Sequence, residues 1–402
     1  MRWTRFSESE QNYLECGREG TGILSLPNDV SVTGPMSFRN WRRSLTGSPC
    51  FGVSEVPLYS DATICGEVRK GIGPYRLLNA SPATPLDPAV LLVMESFLNP
   101  NDLPAMIETD TSNFTGAWLG DEIAALLALS SGARIIAGDA TRNLHAGEWI
   151  ISGDHDRPTL FPKRPGRQPI LPRAVQHTQI TPDSLGQYNA LNASAATALV
   201  RAARLYRDGL WIAEVEPELT WLLFVSAIEV AAVYQQIEDI EPLEILRLSK
   251  PKLVARLAST PGLLHEVASA LSRELRATNR FLEFSSRFMP APPDKRPPIG
   301  FRLDWTASTL RRCMQKVYEQ RSLALHEGIP FPPPMCGAPV FSEASWDAPV
   351  ETVPGLAAST TGGVWKREDL PISLHTFEYV TRGLLQKWWA DLAVNARDQE
   401  GG

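Results

Sequence analysis

The chain has 402 residues, 43% hydrophobic and 21% charged, which is apolar content enough for a sizeable core; at about 100–200 residues per domain it divides into two domains and a tail. A net charge of −6 excludes a protein that coats nucleic acid through bulk charge, though not one with a local basic patch. No apolar run reaches the ~18–20 residues that span a bilayer. The longest, Trp221 to Ala232, is too short and contains Glu229, and the stretch from Met1 to Glu10 has no signal-peptide core, so a cytoplasmic protein without membrane contact is expected. Cys16, Cys50, Cys65, Cys313 and Cys336 are odd in number and never in C-x-x-C spacing, which predicts free thiols. Cys313 falls in a helical pattern and reads as a small buried apolar residue rather than a nucleophile.

Residues 1–156 read as a mixed α/β domain. Gly22 to Leu26, Phe51 to Val56 and Ala62 to Cys65 are short apolar runs bounded by Gly, Pro, Asn and Ser, the punctuation of short strands. Leu91 to Met94 fits either a strand or a buried helical turn. Asp121 and Glu122 open a helix with Ile123, Leu126 and Leu127 on one face, and acidic residues suit its first turn. Arg134 to Ala137 and Trp149 to Ile151 predict strands after it. Asp154-His155-Asp156 has the residue types of a metal-ligand cluster, but the adjacency and the prolines behind it favour a polar turn. Prolines at 158, 162, 165, 169, 172 and 182 make 157–183 an extended connector.

From 184 to 335 the pattern is that of an all-α bundle. Leu185, Tyr188, Leu191, Ala195, Ala198, Ala202 and Leu205 or Tyr206 keep helical spacing up to Gly209. A second helix starts at Pro217, where first-turn proline is tolerated, and is apolar around most of its circumference, as a central helix is. Thr260-Pro261 opens a long third helix through Phe288. Asp304 or Thr306 caps a fourth, which runs to His326 and stops before Gly328 and Pro330. Residues 336–370 form a loop-rich linker. An amphipathic helix in 371–402 carries Phe377, Val380, Leu384, Trp388 and Leu392; its Trp388-Trp389 pair either packs on the bundle or faces a partner or membrane. The fold class is therefore α+β, a partly β-rich N-terminal region followed by a helical bundle.

The fourth helix has an apolar stripe at Leu310, Met314, Val317 and Leu325, and Arg321 lies on it. A guanidinium aimed at a bundle needs a partner, because a buried unpaired charge is costly. Glu229, interrupting the apolar second helix, is the expected partner. His326 adds a titratable acid–base group at the end of the same helix, where the dipole favours imidazolium.

Tyr318-x-x-Arg321-Ser322-x-x-x-His326-x-Gly328 resembles the signature of the Apea-like branch of HEPN domains, and Leu205 to Asp208 with Trp221 to Glu229 is similar to the first helices of that branch. The resemblance covers about 184–335. It implies a homodimeric, metal-independent endoribonuclease with no cofactor, in which the Arg and His of both chains line one cleft. His326 would then serve as general acid or base, Arg321 would stabilise the phosphorane, and Ser322 would position the phosphate or one of these side chains. Toxin or antiviral effectors of this kind damage RNA, and the N-terminal region would hold a regulatory ligand or antitoxin. The alternative is a non-catalytic dimerisation and recognition module in which the Glu229–Arg321 pair is structural. On a regular helix, five residues turn two side chains about 140° apart, so catalysis requires either a loosened last turn or use of the pair across a dimer axis. Charge is also polarised: 208–244 holds nine acidic residues and no Lys or Arg, whereas 245–326 holds fifteen basic against six acidic, a net of +9 that suits an RNA-facing surface.

Overall fold

In the computed structural model, which describes residues 33–80, 87–98, 109–145, 148–151, 168–235, 241–342, 345–353, 355–360 and 362–400, a long antiparallel strand pair organises the N-terminal part. Gly22 to Leu26, Cys16, Asp154-His155-Asp156 and the first part of the Pro-rich connector lie outside the described residues. Two compact units form, one from 1–162, 174–200 and 390–402, the other from 163–173 and 201–389. Both connector and C-terminal helix are thus shared out between the units, where the sequence suggests consecutive blocks. The class is α+β.

In the first unit β1 (Gly52–Tyr59) is central. It pairs antiparallel with β4 (Val90–Ser96), β5 (Ile136–Ala137) and β6 (Arg142–His145), giving the order β3-β4-β1-β6-β7 with β3 (Tyr75–Asn79) and β7 (Glu148–Ile151) outermost. Leu91 to Met94 is strand, which resolves that alternative. The strand expected at Arg134 shrinks to Ile136–Ala137, because Arg134 is buried and points at Asp61, 3.5 Å away. A separate parallel pair joins β2 (Ile64–Cys65) to β8 (Thr178–Gln179). Two helices, α1 (Met36–Leu45) and α2 (Leu119–Ser131), pack together. The sequence shows α1 poorly, since Phe38 and Trp41 are its only buried apolar residues.

α2 is buried around its circumference instead of showing one apolar face, and Glu122 is wholly enclosed. Its carboxylate meets the first turn of α1: Oε2 accepts the Ser37 N–H at 2.7 Å and Oε1 accepts the Thr115 hydroxyl at 2.7 Å. Tyr188 and Tyr75 complete the cluster, with the Ser37 and Tyr188 hydroxyls 3.0 Å apart and Tyr75 donating to the Ser37 carbonyl at 2.6 Å. Burial raises the Glu122 carboxyl pKa, and the hydrogen bonds from Thr115, Ser37 and Met36 oppose that rise.

In the second unit the helices are α4 (Ala193–Ile212, from Arg201), α5 (Pro217–Tyr234), α6 (Pro242–Ser249), α7 (Pro251–Leu257), α8 (Pro261–Phe288), α9 (Ala307–His326) and α11 (Leu374–Glu400, to Trp389), with the single turn α10 (Pro333–Cys336). The helical pattern from Leu185 breaks into α3 (Asp183–Gly186) and a 3-10 turn; α4 starts only where the Asn192 side chain accepts the Ala195 N–H at 2.8 Å. It runs past Gly209, where a side chain would strike the Phe224 ring. α5 is long and apolar enough for a bilayer by length and composition, but Trp221, Phe224, Val225 and Ile228 are fully enclosed by protein. α8 packs on α6 and α7 at one end and on α5 and α9 at the other. Trp388 and Trp389 are packing residues, Trp388 donating its indole N–H to Gln235 at 3.0 Å. The stretch expected as a linker is partly built in: Glu351 is buried, takes a two-pronged bond from Arg296 (2.8 and 2.6 Å) and accepts the Leu303 N–H at 2.7 Å.

The Glu122 cluster makes a pH-dependent prediction. A carboxyl whose folded pKa is raised contributes stability below its ordinary value near 4.3, and loses it as pH rises through the folded pKa. Glu122→Gln can still accept the Ser37 N–H and donate to the Thr115 oxygen. Its urea midpoint, relative to the parent, should therefore climb between pH 4 and pH 8, whereas Glu122→Ala should lose about 1–3 kcal/mol by orphaning buried donors. Parallel pH profiles for parent and Glu122→Gln would show that Glu122 does not titrate as its burial demands.

Candidate active site

Three helices converge on Glu229. α9 turns Leu310, Met314 and Val317 into the bundle, and Tyr318 and Arg321 follow on the same side. Arg321 Nη2 lies 2.7 Å from Glu229 Oε2, and the Tyr318 hydroxyl donates to Glu229 Oε1 at 2.9 Å, so both carboxylate oxygens are answered. The guanidinium also stands over the Tyr318 ring, 5.6 Å from its centroid. Phe281 of α8 backs that ring at 4.9 Å. The Arg321 and Glu229 side chains are 20% and 21% exposed, which makes the pair half-buried rather than sealed. Burial first, then the negative charge of Glu229, pushes the Tyr318 phenol up to about 12. It stays a neutral donor at all ordinary pH. Arg321 Nε is buried without a hydrogen-bond partner.

Ser322 is half-buried and His326 is exposed at the helix end. The last turn does not loosen: the Glu327 N–H donates to the Leu323 carbonyl at 2.9 Å, and Gly328 leaves the helix in the left-handed conformation at φ +68°. Arg321 and His326 therefore keep the roughly 140° separation of a regular helix. Within one chain the structure brings together Glu229, Tyr318 and Arg321, and leaves His326 apart from them. At the other end of α9, Thr306 is the N-cap position but neither its side chain nor that of Asp304 caps a first-turn N–H; Asp304 instead accepts the Thr306 N–H at 3.2 Å and the Thr306 and Thr309 hydroxyls at 2.9 Å each.

Some polar arrangements were not visible in the sequence. Tyr206 and Arg382 both bond to Glu378, which is 3% exposed; the Arg382–Glu378 distance is 3.0 Å. Their only signal was the i, i+4 spacing of the two charges within one helix. His375 sits beside Ser373 and Thr376, and burial pushes its imidazole down to about 4. Cys65 Sγ and His177 Nε2 approach to 3.2 Å across the β2–β8 pair; these are 112 residues apart and nothing local announces the contact. Cys50, Cys65, Cys313 and Cys336 are free thiols, with Cys313 buried as expected. Among the described residues no group of three or more His, Cys, Asp or Glu forms that would hold a metal ion.

No family model, curated protein or solved structure matches the chain.

Loss of Glu229 removes a charge-assisted bond to Arg321 and the acceptor of Tyr318. For a pair this exposed, Glu229→Ala should cost about 1.5–3 kcal/mol, less than the ~3–5 kcal/mol of a fully buried pair. Chemical denaturation measures it. An unchanged midpoint would mean that the ion pair contributes nothing to the bundle.

Proposed function

We propose that the chain is a metal-independent endoribonuclease of HEPN type, active as a homodimer, with Arg321, His326 and Ser322 as its working residues and Glu229 as the orienting partner. The observation that carries the reading is a permanently charged guanidinium held from two sides by Glu229 and Tyr318, with an exposed imidazole on the same helix. Glu229 engages Arg321 Nη2, and Nη1 has no protein partner among the described residues, so donors remain for a phosphate oxygen.

The chemistry needs no metal. The RNA supplies its own nucleophile, the 2′-hydroxyl next to the scissile phosphate. The His326 imidazole takes that proton, the 2′-oxygen attacks phosphorus, and the 5′-oxygen leaves with a proton from the second imidazole of the dimer. Arg321 offsets the charge that builds on the phosphorane oxygens. The products carry a 2′,3′-cyclic phosphate and a 5′-hydroxyl. Since Arg321 and His326 diverge within one chain, the guanidinium of one copy works with the imidazole of the other. RNA damage in a toxin or antiviral setting is the role this activity fits, with the N-terminal unit as its restraint.

A recognition module is the second reading. It is favoured by the engagement of Arg321 with Glu229, which a purely structural ion pair would also show.

Cleavage of a labelled tRNA and unstructured RNA panel should continue in EDTA and leave cyclic-phosphate ends. His326→Ala should lower the rate about 10²–10⁴-fold with an unchanged melting curve, because the side chain is exposed. Undiminished cleavage by His326→Ala would move the chemistry to other residues. A protein that stays monomeric at micromolar concentration would remove the composite site.

A further inference from the structure

Beside the Arg321 cluster, α5 and α8 leave a cleft of about 470 Å³ lined by Glu229, Ala232, Val233, Arg276, Ala277 and Arg280, with Phe281 behind them. Arg276 and Arg280 are four residues apart and so share one face of α8. Arg280 has no carboxylate within ion-pair distance among the described residues, whereas Arg247, Arg296, Arg311 and Lys316 all do. The acidic lining residue, Glu229, already neutralises Arg321. Arg280 therefore brings an uncompensated positive charge to the cleft among the described residues. Its other walls, Ala232, Val233 and Ala277, are small or apolar, so they accommodate a chain without offering it hydrogen bonds. Glu229 lines the cleft and pairs with Arg321, so the cleft adjoins the Arg321 site.

We propose that this cleft binds the phosphodiester backbone of single-stranded RNA next to the scissile bond, with Arg280 as the principal phosphate ligand and Arg276 as its neighbour one turn away. The inference rests on the ribonuclease reading for the identity of the polyanion, and on the cleft alone for the position of the contact. Arg280 is a positioning residue: it contacts a phosphate that does not react.

The test uses the full chain and a fluorescein-labelled 2′-O-methyl oligoribonucleotide, which cannot be cleaved, with anisotropy read from low to moderate salt. Arg280→Ala should raise Kd about tenfold and reduce the slope of log K against log salt by about one unit. Ala277→Glu puts a carboxylate at an exposed position beside Arg280 and should weaken binding at least as much with an unchanged melting curve. Arg256→Ala, an exposed arginine on α7 outside the cleft, should change Kd less than twofold. Equal Kd and slope for parent, Arg280→Ala and Ala277→Glu would overturn the cleft, as would an Arg256→Ala loss as large as that of Arg280→Ala. Cleavage of ordinary RNA by the parent is measured in parallel. Arg280-dependent binding without cleavage would sink the nuclease and keep the cleft; cleavage with Arg280-independent binding, or with no binding, would do the reverse; neither binding nor cleavage by the parent would sink both.

Discussion

A carboxylate in the most apolar helix of the second unit is tolerated only if both of its oxygens are answered by fixed donors. Glu229 meets that condition with one bond from Arg321 and one from Tyr318, both on α9. The apolar residues around it, Trp221, Phe224, Val225 and Ile228, give α5 its affinity for the bundle but little directional preference. The two hydrogen bonds set the register of α5 against α9, and Phe281 behind Tyr318 extends the same constraint to α8. Arg321 is thereby held in one orientation. A side chain with that many rotatable bonds otherwise spends free energy on being ordered at the moment of use.

Other buried carboxylates are held by different sets of donors. Glu351 is held by the fork of Arg296 and by the Leu303 amide, and Glu378 by Arg382 and Tyr206. Glu122 has no cation among the causes that shift it, and depends on the amides and dipole at the start of α1 and on the Thr115 hydroxyl. The difference has a consequence for pH. At Glu122 the amide and hydroxyl donors offset burial only in part, so its carboxyl pKa is raised.

What the sequence displays follows from which elements carry a long apolar period. α5, α8, α9 and α11 each bury one stripe or more over many turns, and their limits are set by local signals: Pro217 and Pro261 in first turns, Gly328 after the last. The Glu229–Arg321 pairing was equally readable, because a lone charge in an apolar stripe has few ways to be tolerated. α6 and α7 were hidden for the opposite reason. They are 8 and 7 residues long, and Pro242 and Pro251, which open them, look like breaks in a loop. The burial of Glu122 was also illegible, since an acidic residue in a helix's first turn normally faces water; its environment is created by α1, about eighty residues earlier in the chain. The Arg276–Arg280 cleft belongs to the same class. Its arginines read as an ordinary solvated face until α5 is laid beside them.

The unbroken helix between Arg321 and His326 constrains how two copies can meet if they share one site. Five residues advance a helix by about 7.5 Å and turn it by about 140°, so neither side chain can be swung to the other without unwinding the turn that Glu327 and Leu323 close. In a two-fold contact, residue i of one copy faces residue j of the other and the converse. Arg321 facing the partner's His326 then requires the two α9 helices to run antiparallel past an axis near Leu323 and Ala324. That end of the helix carries Leu323 and Leu325, exposed apolar side chains at 37% and 50%, with Ile329 at 49% just beyond it. Burying the two Leu323 side chains beside that axis would supply apolar contact at the position the proposed site requires. The proposed dimer and the proposed composite site would thus make the same demand on the same helical turn, and α9 packed in any other way would separate them.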